Sequence, residues 1–525
     1  MNRRKYRSYD YEAIIIGSGI GGLTAGAYLA REGVKVLICE MHSQPGGYLT
    51  SFKRQGYTFD GGIQGLQDGG MLLAMVKDLG LKDRIEFHKC KYAVAGSDFF
   101  LPIDKVSDVV TFYDNLKRVF PEQVPGLDHI SREAEAYCKL MFSFNQIPNP
   151  MYASWGEFFR EFPGWYRKHK SSLKPAGDFI RNMRTPMEEY FQRHVDHPDL
   201  LRLLNQLSYS GSPVSFALIF ITFLMDYYYP GGGVQSFSDL LAECITENGG
   251  QIRYRTLIEE IIMEKGRARG VKTAGGEVIR APFIISNSDA RRTYLKMLPA
   301  EAVPESYRQG IQRAGLSEAF FTIFLGVDIP PEEIDTRGCS HIVYWPDYKG
   351  IEIERYHTGD ESIYDNAPVV VNCNSISDPS LAPKGKSSMT IQTVAFADFA
   401  DNWGTENGKR TPRYKELKER VTDKLIATAE DIVPGLSKRI EVRFSGTPLT
   451  FQRYTLNSGG SSLGWNCHPE KGFNGGWKVF TGFSPPVKSL YHVGHWTMSP
   501  GGTPSGYMTG KIVSNIVSKR LRWGI

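Results

Sequence analysis

The sequence predicts an α/β fold built on a parallel sheet, and three observations support this prediction. A strand–helix–strand unit opens the chain, with apolar strands at residues 13–16 and 34–39. A helix followed by several short strands occupies residues 230–290, and a strand, a glycine-rich turn and a helix close the chain at residues 490–519. Strands joined by a crossover helix lie parallel and are buried on both faces, which suits these uninterrupted apolar runs.

The turn after the first strand reads Gly-Ser-Gly-Ile-Gly-Gly at residues 17–22. In a dinucleotide-binding unit, Gly17 permits a tight turn, Gly19 lets the backbone approach a pyrophosphate, and Gly22 lets the helix pack closely on the strand. The helix N-terminus also presents free N–H groups to the phosphates. Glu40 ends the second strand, where it can accept both hydroxyls of an adenosine ribose and would repel a 2′-phosphate. The pattern predicts a Rossmann-like unit for an adenine dinucleotide other than NADP.

A second glycine pair follows in the sequence Pro-Gly-Gly-Tyr at residues 45–48, and Gly-Tyr-Thr-Phe-Asp-Gly-Gly follows at residues 56–62. A plain NAD-binding fold has no use for this second pair. Here the chain resembles the phytoene desaturase, carotenoid isomerase and retinol saturase family of FAD-dependent oxidoreductases, within the amine-oxidase-like flavoprotein superfamily. The resemblance recurs in order at residues 230–289, 447–456 and 490–517, so that it covers most of the chain.

The resemblance implies a glutathione-reductase-like FAD-binding domain that is interleaved with an α+β substrate domain containing a mixed or antiparallel sheet. The FAD-binding domain would comprise residues 10–90, 230–290 and 485–525, and the substrate domain residues 91–229 and 291–484. The candidate FAD-binding residues are Gly17, Ser18, Gly19, Gly21, Gly22, Glu40, Met41, Gly46, Gly47, Tyr48, Gly61, Gly62, Ile63, Ile258, Ser286, Asn287, Gly494, His495, Gly502, Thr503 and Pro504. Among these, Ile258, Ser286 and Asn287 are placed beside the adenosine by the resemblance alone.

The closing motif predicts contact with the flavin ring. A helix is predicted at residues 506–519, after a tight loop that ends in Gly502, Thr503 and Pro504. Its N-terminus would point at the isoalloxazine and stabilise negative charge on the reduced ring. The carotenoid enzymes usually have Asp directly after the Val-Gly of this motif, whereas this chain has His495. The expected role of His495 is a polar group beside the ribityl chain, and the alternative is a catalytic proton donor near flavin N1. The change weakens any assignment of a carotenoid as the substrate.

Two apolar segments concern the substrate side. The segment at residues 213–230 contains an apolar run, Phe216 to Met225, that is interrupted only by Thr222 and is too short to span a bilayer. It is predicted to form a buried core helix, and the functional alternative is the wall of an apolar substrate tunnel or a membrane-facing entrance. Residues 151–170 alternate aromatic with basic side chains at helical spacing, which fits either contact with lipid headgroups or a surface helix covering the core. The basic segment at residues 2–7 is predicted to be a solvated tail, with anionic lipid contact as the alternative.

Composition excludes several classes of function. A net charge of +5 over 525 residues gives no support for nucleic-acid binding. The seven cysteines form no CxxC pair, which favours a reducing, cytoplasmic location, with peripheral membrane association as a possible addition. No apolar segment precedes the first strand, so no signal peptide is expected. No residues have metal-ligand spacing, and no second complete glycine motif indicates a built-in NAD(P)H reductase domain.

These observations predict an FAD-dependent oxidoreductase or isomerase that acts on carbon–carbon double bonds of an apolar unsaturated lipid. The lipid would be of the carotenoid, retinoid, polyisoprenoid or fatty-acyl type, and it would exchange hydride, or an electron and a proton, with flavin N5. Two alternatives remain open at this point. One is an amine-oxidase-like flavoenzyme that oxidises C–N bonds, and the other is a lipid-binding escort protein resembling the Rab GDP dissociation inhibitors.

Overall fold

The structure is a computed structural model that describes residues 9–470, 483 and 485–524. The basic segment predicted at residues 2–7 lies outside the described residues. The described strands, in chain order, are β1 Ala13–Ile16, β2 Val36–Cys39, β3 Ser51–Arg54, β4 Tyr57–Asp60, β5 Leu66–Gln67, β6 Phe87–Lys89, β7 Tyr92–Gly96, β8 Phe100–Ile103, β9 Tyr227–Pro230, β10 Gln251–Arg253, β11 Ile258–Glu264, β12 Arg267–Thr273, β13 Val278–Arg280, β14 Phe283–Ser286, β15 Ala319–Val327, β16 His341–Trp345, β17 Val369–Asn372, β18 Ser387–Ala395, β19 Ile440–Gly446 and β20 Leu490–His492.

The helices surround these strands, and one of them, α13, is a left-handed turn with positive φ at residues 400–403. The described helices are α1 Ile20–Arg31, α2 Leu72–Asp78, α3 Asp108–Val119, α4 Val124–Phe144, α5 Trp155–His169, α6 Ala176–Asn182, α7 Met187–Gln192, α8 Pro198–Leu204, α9 Val214–Leu224, α10 Val234–Glu247, α11 Ala290–Arg292, α12 Glu305–Arg313, α13 Phe399–Gly404, α14 Pro412–Ala429, α15 Pro448–Thr455 and α16 Thr503–Trp523. None of these described helices is long and apolar enough to cross a membrane.

A five-stranded parallel sheet has the strand order β10-β2-β1-β14-β20. Ala13 lies opposite Val36 on one side and Phe283 on the other. Ile15 points to the face covered by α1, α10 and α16, whereas Ile14 points to the face covered by the antiparallel sheet of β11, β12 and β13. The strands are therefore buried on both sides, as their apolar sequences predicted. This layered arrangement confirms the Rossmann-like, α/β part of the predicted fold.

A seven-stranded sheet forms the second large layer, with the order β19-β15-β18-β17-β16-β7-β8. Its neighbouring strands are antiparallel except β16 and β7, which are parallel, so the predicted mixed sheet is confirmed. Helix α14 packs with one part of this sheet in a shared apolar core. Helices α3, α4 and α9 pack with another part, around Tyr92 and Trp345. The boundaries of the predicted domain segments stay a prediction.

The closing helix differs from its predicted bounds. It was expected at residues 506–519, but α16 begins at Thr503 and ends at Trp523. Gly502 is its N-cap, with φ +109, and Pro504 lies in its first turn, where the missing N–H of proline costs no hydrogen bond. The earlier start moves the helix N-terminus into the glycine-rich turn itself.

Helices α1 and α16 cross at very short range through glycines. A Cβ on Gly506 would lie 2.6 Å from Cγ2 of Ile20, and a Cβ on Gly510 would lie 2.7 Å from Cβ of Thr24 and 2.9 Å from the Gly21 carbonyl oxygen. The two helices therefore touch through backbone as well as side chains. The crossing fixes where both helices begin relative to each other.

Gly510→Ala should lower the midpoint of thermal unfolding, since the added methyl group overpacks the helix crossing at a cost of about 1–3 kcal/mol. Gly164→Ala is the matched control, because it makes the same change inside α5 where a Cβ would meet nothing within 4 Å. That variant should be neutral or slightly stabilised, by up to about 1 kcal/mol, through helix propensity alone. Equal effects of the two substitutions in a melting experiment would contradict the close crossing.

Candidate functional site

A single elongated cavity of about 920 Å³ lies between the five-stranded sheet and the seven-stranded sheet. Its volume is near the upper end of the range of small-molecule and cofactor sites. At one end it is lined by the glycine turns of the first and last chain segments, and at the other by aromatic and polar residues from the middle of the chain.

Two helix N-termini meet at the cavity. Helix α1 has Gly19 as its N-cap and α16 has Gly502, and neither glycine has a side chain that could cap the helix. Gly19, Ile20, Gly502 and Thr503 all line the cavity. Uncapped N-termini present backbone N–H groups and the positive ends of the helix dipoles, so this wall favours anionic groups.

The glycine turns form a cradle at this wall. Gly17 has φ +89 and donates its N–H to the Cys39 carbonyl at 2.8 Å, which holds the turn across the ends of β1 and β2. Gly46 donates to the Ser18 carbonyl at 2.9 Å, and a Cβ on Gly47 would lie 3.4 Å from Cα of Gly19. Side chains at these positions would fill the space in front of the α1 N-terminus. The cradle therefore fits an extended diphosphate in close contact with the backbone.

Asn287 lies where the first and last glycine turns meet. Its N–H donates to the Ile16 carbonyl at 2.9 Å. A Cβ on Gly19 would lie 2.6 Å from Nδ2 of its side chain, and a Cβ on Gly494 would lie 2.5 Å from Oδ1. A Cβ on Gly21 would lie 2.7 Å from the same Oδ1 atom. The side-chain amide of Asn287 is thus enclosed by backbone. It leaves no space for a Cβ at residues 19, 21 and 494, so only glycine fits at these three positions.

Glu40 connects the end of β2 to the first turn. Its Oε2 accepts hydrogen bonds from the backbone N–H of Ser18 at 2.9 Å and from the Ser18 hydroxyl at 2.6 Å. Its Oε1 accepts from the His42 N–H at 2.9 Å. A carboxylate has about four lone-pair positions, so the buried group retains capacity for a ribose hydroxyl. Glu40 also stabilises the turn itself, a second role that the sequence did not reveal.

His495 borders the cavity on the side of the closing turn. Its Nε2 atom is buried and has no hydrogen-bond partner among the described residues. Burial, together with a smaller effect of the neighbouring His492, lowers the pKa of His495 to about 4. The ring is therefore neutral at pH 7, where it can donate or accept a hydrogen bond but is a poor general acid. An unpartnered nitrogen beside the two N-termini fits a bound polar group, and the catalytic role of His495 stays a prediction.

The structure brings most of the candidate residues to the cavity. The predicted residues that line it are Gly17, Gly19, Glu40, Met41, Gly46, Gly47, Tyr48, Gly62, Ile63, Ile258, Asn287, Gly494, His495, Gly502 and Thr503. The other predicted residues, all of which the structure describes, lie behind this lining, namely Ser18, Gly21, Gly22, Gly61, Ser286 and Pro504. Their role in cofactor binding stays a prediction.

Two of the residues behind the lining are closely packed within the protein. A Cβ on Gly22 would lie 2.2 Å from the Gly17 carbonyl oxygen, so Gly22 sets how closely α1 approaches the turn. Ser286 is fully buried, and its hydroxyl exchanges a hydrogen bond with Thr293 at 2.8 Å. Gly22 has no side chain, and the hydroxyl of Ser286 is hydrogen-bonded to Thr293.

The apolar run from Phe216 to Met225 forms most of α9, which is the predicted buried helix, and its role as a wall for substrate stays a prediction. One face of α9 places Phe216, Phe220 and Phe223 in the cavity wall. The opposite face packs into the core, where the Leu218 carbonyl accepts a hydrogen bond from Cys138. The run is a buried helix that also lines an apolar chamber.

Sequence reasoning missed the polar residues of the substrate side. Glu188 on α7 and Glu318 at the start of β15 line the cavity, as do Asn205, Gln206 and Tyr209 from the α8–α9 region. No local pattern marks these positions, because they are single polar residues within ordinary helix and strand sequences. Tyr454 also lines the cavity.

A family model for flavin-containing amine oxidoreductases matches residues 20–518. The chain belongs to this family. The match begins within the first glycine turn and includes the closing glycine turn, so the cavity described above belongs to a flavin-binding fold. The predictions of an FAD cofactor and of a flavin-dependent enzyme are thereby confirmed, and the lipid-escort alternative is left without support.

Relatives with named activities extend over most of the chain. Prolycopene isomerase from Daucus carota is 29% identical, with 87% of this chain and 72% of that protein covered. All-trans-retinol 13,14-reductase from Danio rerio is 26% identical, with coverage of 96% and 86%. Phytoene desaturase (neurosporene-forming) from Rhodobacter capsulatus is 25% identical, with coverage of 96% and 93%. The predicted resemblance to the phytoene desaturase, carotenoid isomerase and retinol saturase family is confirmed.

Solved structures share the fold at low sequence identity. Cyclohexylamine oxidase from Brevibacterium oxydans IH-35A superimposes with a TM-score of 0.60 at 14% identity, with 98% of this chain and the whole of that chain covered. This similarity establishes the fold and carries no information about substrate.

Glu40→Ala should release FAD. The substitution removes the acceptor for the ribose and frees the turn at Ser18, and each hydrogen bond to a charged group contributes about 1.5–3 kcal/mol. FAD retained per chain after gel filtration, measured on denatured protein, should fall at least tenfold. Ser18→Ala is the control, because it deletes only the hydroxyl bond to Oε2 and keeps the carboxylate, so its loss should be smaller. Full retention of FAD by Glu40→Ala would refute both roles of Glu40.

Proposed function

We propose that this protein is an FAD-dependent enzyme that acts on a carbon–carbon double bond of an apolar, unsaturated lipid. The observation that carries the proposal is the continuity of the cavity, which joins the glycine cradle to the aromatic wall of α9 without an intervening partition. A lipid chain along this wall would reach the place where the closing motif meets the flavin ring.

The named relatives support this substrate class. Their names describe isomerisation, reduction and desaturation, which are three changes at carbon–carbon bonds. Bound FAD would supply hydride or single-electron exchange with such a bond. One binding geometry serves all three reactions, since each requires the bond to lie against the flavin.

The residues of this chain would contribute binding, orientation and charge. The N-termini of α1 and α16 would hold the diphosphate and the electron-rich edge of the ring, respectively. Phe216, Phe220 and Phe223 would bind the lipid chain through buried apolar area and exclude water from the reacting bond. His495, being neutral, would hydrogen-bond to the cofactor through its unpartnered Nε2.

Oxidation of an amine is the second candidate. The observation that favours it is the pair of carboxylates in the cavity wall, Glu188 and Glu318, which could attract a protonated amine. The wall of phenylalanines favours a long apolar substrate instead, and the named relatives that cover most of this chain agree with the lipid.

An anaerobic redox experiment would test the lipid proposal. The bound flavin is reduced with dithionite, excess reductant is removed, and prolycopene, all-trans-retinol, phytoene or cyclohexylimine is added separately. Return of the oxidised flavin spectrum with one lipid, together with its saturated product, is the result expected of a reductase. Product without spectral change is expected of an isomerase, and bleaching of oxidised flavin by phytoene is expected of a desaturase.

Phe220→Arg should abolish these responses while FAD remains bound, because the charged side chain would enter the apolar chamber. Val278→Arg is the control, since it makes a similar change at a half-exposed position on β13. A response to cyclohexylimine or cyclohexylamine alone would favour C–N chemistry. Failure of every lipid to affect a fully flavinated protein would overturn the proposal.

We also propose that α5 contacts a membrane peripherally. Trp155 and Phe159 are each 64% exposed, and Tyr166 is 48% exposed on the same helix. Arg160 and Arg167 are exposed beside them. An exposed aromatic face with flanking cations is typical of helices that lie in the headgroup layer. Such contact would let an apolar substrate enter without crossing water, and the cytoplasmic location stays a prediction.

Trp155→Glu combined with Phe159→Glu should weaken binding to vesicles that contain anionic phosphatidylglycerol by about tenfold or more, because two aromatic side chains no longer enter the lipid. Trp523→Glu, which alters an exposed tryptophan at the end of α16, should leave vesicle binding unchanged. Co-sedimentation with vesicles measures both. Equal binding of the two variants would contradict the role of α5.

A further inference from the structure

Two carboxylates on the substrate side of the cavity are held by consecutive backbone amides. The Ser210 N–H donates to Oε1 of Glu318 at 2.6 Å, and the Gly211 N–H donates to Oε1 of Glu188 at 2.8 Å. Gly211 has φ +73, and a Cβ there would lie 2.8 Å from Cβ of His468, so the turn requires glycine. The loop between α8 and α9 therefore fixes both carboxylates side by side.

The two backbone amides bind only Oε1 of each carboxylate. Oε2 of Glu318 and Oε2 of Glu188 are buried and have no hydrogen-bond partner in the part of the chain that the structure describes. Oδ1 of Asn205 and Oε1 of Gln206 are unpartnered in the same way, while Nε2 of Gln206 donates to the Ile351 carbonyl at 2.7 Å. All four residues line the cavity. This part of the cavity wall therefore presents four oxygen atoms that can accept hydrogen bonds and have no donor among the described residues.

No basic side chain among the described residues forms an ion pair with Glu188 or Glu318, and the nearby Arg202 is paired with Asp199 and Glu352. Glu318 is only 4% exposed. Burial raises the pKa of the Glu318 carboxyl to about 7, against the opposing effect of backbone hydrogen bonds and with a contribution from the charge of Glu188. At pH 7 the Glu318 carboxyl is thus protonated in about half of the molecules.

The chemistry of these groups selects among possible ligands. A hydroxyl group can donate to a carboxylate and can also accept from a carboxylic acid, so it stays hydrogen-bonded in both states of Glu318. An ammonium group can only donate, so it cannot accept a hydrogen bond from the protonated Glu318 carboxyl. A ligand carboxylate would be repelled by the charge of the glutamates and has no hydrogen to donate to them. A hydrocarbon end would leave the buried acceptors unpaired, which is unfavourable.

We propose that Glu318 and Glu188 form a binding site for the hydroxyl group of the substrate, so that the substrate is an unsaturated lipid alcohol with its double bond held toward the flavin. This inference rests on the proposed function, because it assigns the polar end of the lipid whose chain lies along α9. The two glutamates are positioning residues for the reaction, since they determine which bond reaches the flavin without touching it.

Three isoprenoids of equal chain length test the site, namely geranylgeraniol, geranylgeranyl methyl ether and geranylgeranylamine. Binding to the oxidised FAD-loaded protein is measured by the change in the flavin absorption spectrum, which does not require turnover. The wild-type protein should bind the alcohol about tenfold or more tightly than the ether, which lacks a donor. Glu318→Leu should remove this preference, by weakening the alcohol more than the ether.

Glu318→Gln provides a second variant of nearly the same shape. Its amide can donate to an ether oxygen, so the ratio of ether to alcohol affinity should rise relative to wild type. Glu243→Leu is the control, because Glu243 is exposed on α10, pairs with Arg84 and does not line the cavity. It should keep the wild-type preference. The FAD content of each variant reports whether it has folded, and the selectivity of the wild-type protein tests the site even where a variant fails.

The outcomes separate this inference from the proposed function. Equal binding of alcohol and ether by the wild-type protein would overturn the hydroxyl site and leave the lipid proposal standing. Absence of any spectral change with all three isoprenoids would count against the lipid proposal, and the hydroxyl site would fall with it. Tighter binding of the amine than of the alcohol would overturn the hydroxyl site in favour of a cationic ligand.

Discussion

The close crossing of α1 and α16 is the contact on which the rest of the structure depends. Gly506 and Gly510 remove side chains from α16 where it meets α1, so the N-termini of the two helices reach the same cavity. Glycine inside a helix lowers helix stability by about 0.5–1 kcal/mol relative to alanine, and the sequence retains it here because any Cβ would separate the helices. Two positive helix ends are thereby joined at one wall. Asn287 fills the remaining space between the turns and leaves the wall lined by backbone.

The rest of the site follows from this wall. Glu40 links the end of β2 to the first turn, so a single carboxylate both holds the cradle and retains capacity for a ribose hydroxyl. On the far side, α9 packs one face into the core and gives the other to the cavity, which lets a short apolar helix build a chamber without destabilising the fold. The cavity wall also contains two carboxylates that accept hydrogen bonds from the same loop. Binding of the cofactor and selection of the substrate are thus carried by separate parts of one continuous space.

The sequence predicted those features that depend on local pattern. The first strand was predicted at residues 13–16, the bounds that it has, because it is an apolar run directly before a glycine turn. The first glycine turn was recognised because the spacing of its glycines is that of a dinucleotide-binding turn. The start of α16 was placed three residues late, since a helix that begins with Thr-Pro after two glycines shows no polar side-chain cap. Glu188 and Glu318 were not found, because their importance arises from amides of a loop that is distant in sequence from Glu318. The parallel pairing of β7 with β16 was likewise invisible, as it joins strands that lie far apart in the chain.

The most direct test of this account is an experimental density map of the purified protein at the junction of the two helix N-termini. The account predicts one FAD per chain, with its diphosphate against Gly17 and Gly19, its ribose at Glu40, and its ring against Gly502 and Thr503. A map in which that trough is filled by the side chains of the protein, or in which the flavin lies elsewhere, would contradict the central claim.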